Sequence, residues 1–152
     1  AVHYTGVVRS MLGAVRHLRP ALKSTDRYEA SKADRQVLSY RIQGSAAEMT
    51  KQAEGRMWKL RLEQNYDCEI IAAVHDEVVA SVTLEDLHKF IPAMHSCMVA
   101  NYANMRLPIR SSISFGPNFG VQIEIGNEPT EEAINEGLEK LRKLQEEATQ
   151  GA

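Results

Sequence analysis

The run IIAAVHDEVVAS, residues 70–81, constrains this chain more than any other. Ile70 to Val74 are small and β-branched apolar residues, the composition of a buried strand, and Val78 to Val82 resume the same character. Between them stand His75, Asp76 and Glu77. Desolvating an unpaired carboxylate costs several kcal/mol, so these acids do not belong inside a continuous core strand. A tight antiparallel hairpin resolves the conflict, because its tip lets both acids emerge side by side. Carboxylates held there on rigid strands are well placed to hold a divalent metal.

The remaining segments supply helices around that hairpin. Ser24, Thr25 and Asp26 are N-cap candidates for a helix over residues 24–41. A second helix is expected from about Gly44 to Gln64, with Met49, Ala53, Met57, Leu60 and Gln64 on one face. Thr83 is placed to cap a third, whose face carries Leu87, Phe90, Ile91, Met94 and Met98; Pro92 inside it predicts a kink or break. Ile109, Ser111, Ile113 and Phe115 alternate toward a strand ending at Gly116, and Thr130 opens a last helix striped by Ile134, Leu138, Leu141 and Leu144. Near the start, Gly6 and Gly13 bracket a β-prone stretch with Gly13 in a turn. The order predicts an α+β arrangement around an antiparallel sheet.

Charge is distributed unevenly. Residues 1–61 hold 12 Lys/Arg against 5 Asp/Glu, a balance of +7, whereas residues 62–152 hold 6 against 15, a balance of −9. A basic block of this kind is the footprint of a phosphate-backbone binder or a solvated helical face. No apolar run approaches the roughly 18–20 residues that span a bilayer, and no signal-peptide pattern opens the chain. Ala1 fits removal of an initiator Met or an excerpt from a longer chain. Cys68 and Cys97 form no CxxC and no zinc spacing, which makes a reducing cytoplasm the expected location.

Three segments acquire meaning together: RQVLSYRIQGSAAEMTK at 35–51, VHDEV at 74–78 and LPIRSSISFGPNF at 107–119. In order and interval they resemble the C-terminal palm of family A DNA polymerases. That family carries an Arg-x-x-x-Asn-x-x-x-Gln-Gly-Thr-Ala-Ala-Asp helix segment, a Val-His-Asp-Glu hairpin and a final strand ending in Gly-x-x-Trp. The opening GVVRSMLGAVRHL is similar to the family's Gly-Tyr-Val-x-Thr-x-x-Gly-Arg-x-Arg segment, so the resemblance covers roughly residues 5–120. Departures are Ser39 for Asn, Ser45 for Thr, Glu48 for Asp and Phe119 for Trp, with Gly13 and Arg16 remaining of the Gly-Arg-x-Arg element.

The resemblance implies an α+β fold with an antiparallel palm-type sheet, its catalytic hairpin packed on long helices. Residues 1–126 would be the palm part, with a fingers–palm junction at 1–23, and residues 127–152 an extension helix. Asp76 corresponds to a metal-binding catalytic aspartate, Glu77 to the adjoining carboxylate, and His75 to the residue approaching the primer 3′ end. Gln43 and Arg35 match side chains on the minor-groove side and backbone of the duplex, with Ser39 and Arg16 as further DNA-binding positions. Mg²⁺ is the implied cofactor, in a two-metal site; primer–template DNA and dNTP are the implied partners. The family's Asp-Tyr-Ser-x-x-Glu-Leu-Arg segment and its fingers helix do not occur in this sequence. An upstream polypeptide is therefore expected to complete the site, with the chain one subunit of a split polymerase or a fragment of a longer one. The divergent motif details suit a bacteriophage or plasmid-like replicon. The competing readings are a non-catalytic DNA-binding or assembly module on a palm scaffold and a stand-alone metal-dependent hydrolase. The terminal Leu/Ile stripe either packs on the palm or docks a partner helix.

Overall fold

The computed structural model describes residues 5–102 and 104–150; the first four residues of the expected 1–23 junction and the last two of the expected terminal helix lie outside them. The α+β class holds, and every strand pair is antiparallel. The strands are divided among three two-stranded ribbons rather than joined in one sheet: β1 (Val7–Arg9) with β2 (Val15–His17), β3 (Cys68–Val74) with β4 (Glu77–Val82), and β5 (Ile113–Asn118) with β6 (Val121–Gly126).

The short α1 (Arg19–Leu22) leads into α2 (Arg27–Ser39), which starts where Asp26 accepts a hydrogen bond from the Tyr28 N–H at 2.8 Å. Two separate helices were expected on either side of residues 42–43. Instead, α2 passes through a π-helical turn, Tyr40–Gly44, directly into α3 (Ser45–Gln64). Gly44 stays right-handed helical rather than breaking the run, and a Cβ there would meet the Tyr40 ring at 3.0 Å. The missing side chain thus serves close packing. Asn65, left-handed at φ 53°, ends α3.

Helix α4 (Leu87–Met98) sits between two cores. On one side Cys97, Met94 and Met98 pack with Ala53 and Met57 of α3 and Val78 of β4. On the other, Leu87 and Ile91 meet Ile134 of α5 (Glu131–Gln150), with Phe115 and Ile125 of the last ribbon alongside. The expected break at Pro92 does not occur, since proline removes one backbone bond while packing on both flanks holds the helix. Nor does Thr83 cap it: the helix starts after Asp86, whose carboxylate instead accepts from the Asp67 N–H at 2.8 Å. Burial pushes the Cys68 and Cys97 thiols above their ordinary range, so both behave as packing groups. Among the described residues no helix is long and apolar enough to cross a membrane.

The expectation of a strand over 109–116 is corrected at both ends. It starts at Ile113, and Gly116 lies inside it, opposite β6, a strand the alternation did not reveal. The ladder shifts register between Phe115 and Asn118, and a Cβ on Gly116 would strike the Val121 carbonyl. Thr130 does cap α5, accepting from the Ala133 N–H at 3.2 Å, and the stripe packs on the fold through Ile134, Leu138 and Leu141, leaving Leu144 45% exposed.

Gly116→Ala should therefore lower stability by about 1–3 kcal/mol, the usual cost of overpacking. Gly55, exposed in mid-α3 with open space around it, is the control: Gly55→Ala should raise stability by up to about 1 kcal/mol. Chemical denaturation of the two variants checks both signs, and a neutral Gly116→Ala would mean that the ribbon can open at no cost.

Candidate functional site

The β3–β4 hairpin turns on two residues. Val74 pairs with Glu77, leaving His75 and Asp76 as the loop. Two-residue hairpin loops need a left-handed backbone in their first or both positions, and His75 supplies it at φ 58°. Histidine, like Asn and Asp, visits that region more readily than most non-glycine residues, and such conformations concentrate at functional sites. His75, Asp76 and Glu77 are all solvent-exposed, so the acids escape desolvation as the sequence requires.

The strand leading to them differs from expectation. Residues 70–74 do not form a buried strand: Ile71 is 64% exposed and Val74 48% exposed, and only Cys68 of β3 is fully buried. A two-stranded ribbon has one covered face, here packed on α3 and α4 through Ile70 and Val78. The register shift between Ile70 and Ala72 leaves Ile71 unpaired and turned outward. The outer edges of β3 and β4 pair with no other strand among the described residues.

A second group gathers around the π turn. Ser39 Oγ donates to Gln43 Oε1 at 3.0 Å, both side chains being exposed. Arg35, one turn earlier, donates to Ser31 Oγ at 2.9 Å. Arg16 on β2 lies over the Tyr40 ring, 5.7 Å from its centre, a cation–π contact that holds the guanidinium against the helix. Ser45 fastens the π turn to the first ribbon. Its buried hydroxyl accepts from the Met11 N–H at 2.8 Å and donates to the Arg41 carbonyl. The structure thus brings Arg16, Ser39 and Gln43 around one helical turn, while the acids belong to a different element, the hairpin tip.

Sequence reasoning missed Tyr40 and the bridging role of Ser45. The signal for Tyr40 was its four-residue spacing from Gly44, which places a ring over a residue without a side chain. Phe119, standing where the motif has Trp, is exposed in the β5–β6 turn, which Asn118 closes by accepting from the Gly120 and Val121 N–H groups. As metal donors, Asp76 and Glu77 provide two hard carboxylates; among the described residues no cluster of three His, Cys, Asp or Glu is arranged to hold an ion.

Because His75 pays for its left-handed backbone, His75→Gly should raise stability by about 1 kcal/mol, and His75→Val, branched at Cβ, should lower it. Thermal unfolding of both variants tests this; a loss of stability in the glycine variant would show that the imidazole packs against the ribbon.

Comparison with known proteins agrees with this layout. The family model for DNA polymerase family A matches residues 1–121. DNA polymerase I of Chloroflexus aurantiacus is 25% identical over 114 residues, covering 75% of this chain and 12% of that protein. DNA polymerase I of Mycobacterium leprae is 29% identical over 115 residues, covering 76% and 12%. The chain thus spans about an eighth of the length of these relatives. Among solved structures, the POL domain of Pol1 from M. smegmatis, in complex with DNA primer-template and dNTP, superposes with a TM-score of 0.66 at 27% identity, over 70% of this chain and 18% of that one. With the ordered motifs, the fold and the family match in agreement, the chain belongs to DNA polymerase family A.

Proposed function

We propose that this chain is the C-terminal palm part of a DNA-directed DNA polymerase, with Asp76 its metal-binding catalytic carboxylate and Glu77 the carboxylate beside it. One observation carries the reading: a two-residue turn sets Asp76 in solvent at the end of paired strands that are anchored through Val78 in a core with α3. Membership of the polymerase family and the likeness to a domain bound to primer-template and dNTP support it. Residues 1–126 form the palm part, and the helix within 127–152 braces it through Ile134.

Mg²⁺ fits the donors present, because it is commonly held by one or two protein carboxylates, with water and substrate phosphates completing its shell. Bound there, it would supply charge stabilisation at the transferring phosphoryl group. The chain's own side chains hold the duplex. His75 stands beside Asp76, toward the primer 3′ end. Gln43 faces the minor groove, and Arg35 and Arg16 offer positive charge to backbone phosphates. The outer edges of β3 and β4, unpaired among the described residues, and the exposed Ile71 and Val74 support a partner segment on this ribbon. We assign that place to an upstream polypeptide carrying the second aspartate and the fingers helix. Free thiols at Cys68 and Cys97 suit a reducing cytoplasm.

Asp76→Asn should abolish primer extension by the completed enzyme while leaving duplex binding intact; extension within about tenfold of the parent would remove Asp76 from the chemistry. The 152-residue chain alone should incorporate no nucleotide, and adding the upstream polypeptide should restore activity and raise the thermal midpoint together. A chain that extends primers unaided would overturn the two-part site.

Primer–template binding should weaken steeply with salt. Arg35→Ala should reduce the slope of log affinity against log salt by about one unit if its guanidinium neutralises a phosphate. An unchanged slope would place Arg35 off the backbone.

A further inference from the structure

A cleft of about 480 Å³ opens between α3 and the turn that follows α4, built from residues outside the motifs already assigned. Clefts that hold small ligands are commonly of this size. Helix α3 supplies one wall through Gln52, Arg56 and Lys59, whose four- and three-residue steps set them on one face. The other wall is the turn at residues 100–102, which three hydrogen bonds fix. The Asn101 side chain and the Met105 backbone bond each other twice, at 2.7 Å each, and the Tyr102 hydroxyl donates to the Cys97 carbonyl at 2.9 Å. Burial pushes the Tyr102 phenol above its ordinary range, so it stays protonated and keeps that bond. The lining carries two cations and, among the described residues, no acid.

Arg56 is ordered in this cleft, its guanidinium carbon 5.4 Å from the centre of the Tyr102 ring. A guanidinium set against a ring loses less freedom when a ligand arrives, and its planar fork suits paired oxygens. Lys59 adds a point charge one turn along the same face. Gly55 lines the cleft beside them, and a Cβ there would meet no atom within 4 Å. Packing within the fold therefore does not call for glycine, which is less stable than alanine inside a helix. Its missing side chain keeps the cleft open next to the two cations. From this arrangement we infer that the cleft is an anion site that takes a phosphate group between Arg56 and Lys59. A carboxylate would satisfy the arginine fork alone, whereas a phosphate or diphosphate has oxygens and charge enough for both cations. The same chemistry is offered by free diphosphate and by the backbone of a nucleic-acid strand. The inference is independent of the roles proposed for Asp76, Gln43 and Arg35.

The test is calorimetric titration of the 152-residue chain with inorganic pyrophosphate at low salt. EDTA is present throughout, so that Asp76 and Glu77 gather no anion through a metal. The parent should bind pyrophosphate stoichiometrically, and Arg56→Gln should weaken it about tenfold, the worth of one charge-assisted hydrogen bond. Gly55→Leu alters no charge but fills the cleft; it should abolish binding while the thermal midpoint stays at or above the parent's. Arg41→Gln, which removes the same charge from an exposed position outside the cleft, should bind as the parent does. A short thymidylate oligonucleotide then separates the two sources. Displacement of pyrophosphate by the strand supports the site with a backbone phosphate as occupant, and no displacement supports it with the free anion. Pyrophosphate bound equally well by the parent and Gly55→Leu overturns the site, as does a parent that binds none.

Discussion

The packing of Met57 and Ala53 on α3 against Val78 of β4 and Cys97 of α4 is the contact on which the rest depends. Full burial of a side chain such as Met57 contributes about 1.5–3 kcal/mol, and a well-packed core resists small displacements. That contact makes one body of two elements. One is the helix that carries Ser39 and Gln43 at its π turn; the other is the ribbon that carries Asp76 at its tip. An exposed two-stranded hairpin alone is marginal at best in water, so the rigidity credited to the acids is borrowed from α3 and α4. The second core, around Ile134, Leu87 and Ile91, secures the far side of α4 and so reinforces the first indirectly.

Two departures from regular backbone lie within the motifs. The helix widens to a π turn at Tyr40–Gly44, and His75 takes a left-handed conformation. Both have local causes: the Tyr40 ring seated on Gly44 and the geometry of a two-residue hairpin loop. π turns within helices recur at functional sites, because the extra residue re-aims side chains without breaking the helix. Here the side chains beside the extra residue are Ser39 and Gln43. Gly116 obeys a different need, since its closeness to the Val121 carbonyl is a packing demand in the last ribbon.

Polar contacts in this part of the chain are mostly local. Arg35 reaches Ser31 and Ser39 reaches Gln43 along one helix, which shapes the surface but joins no distant elements. Ser45 is the exception. Its buried hydroxyl spans 34 residues of sequence to hold Met11, so the first ribbon follows the π turn. Without that hydroxyl the Met11 N–H would lose its partner in the protein, a loss of about 0.5–1.5 kcal/mol, so position 45 serves the fold as well as matching the motif.

Read by itself, the sequence determined that His75, Asp76 and Glu77 emerge at a turn. Charge cannot be buried unpaired, and the flanking apolar runs have nowhere else to bend. It also determined the helical faces around Met57 and Ile134 through their periodicity, the cap at Thr130, and the family through ordered motifs. What it left undecided depended on contacts remote in sequence. Whether Gly44 breaks a helix or seats a ring turned on Tyr40 and on the ribbon behind it. The strand beside Gly116 was hidden because Gly-Pro-Asn-Phe-Gly reads as an ending and not as a bulged hairpin. Ile70 to Val74 looked buried because composition reports what a strand would bury, whereas only the tertiary arrangement decides which of its faces is covered.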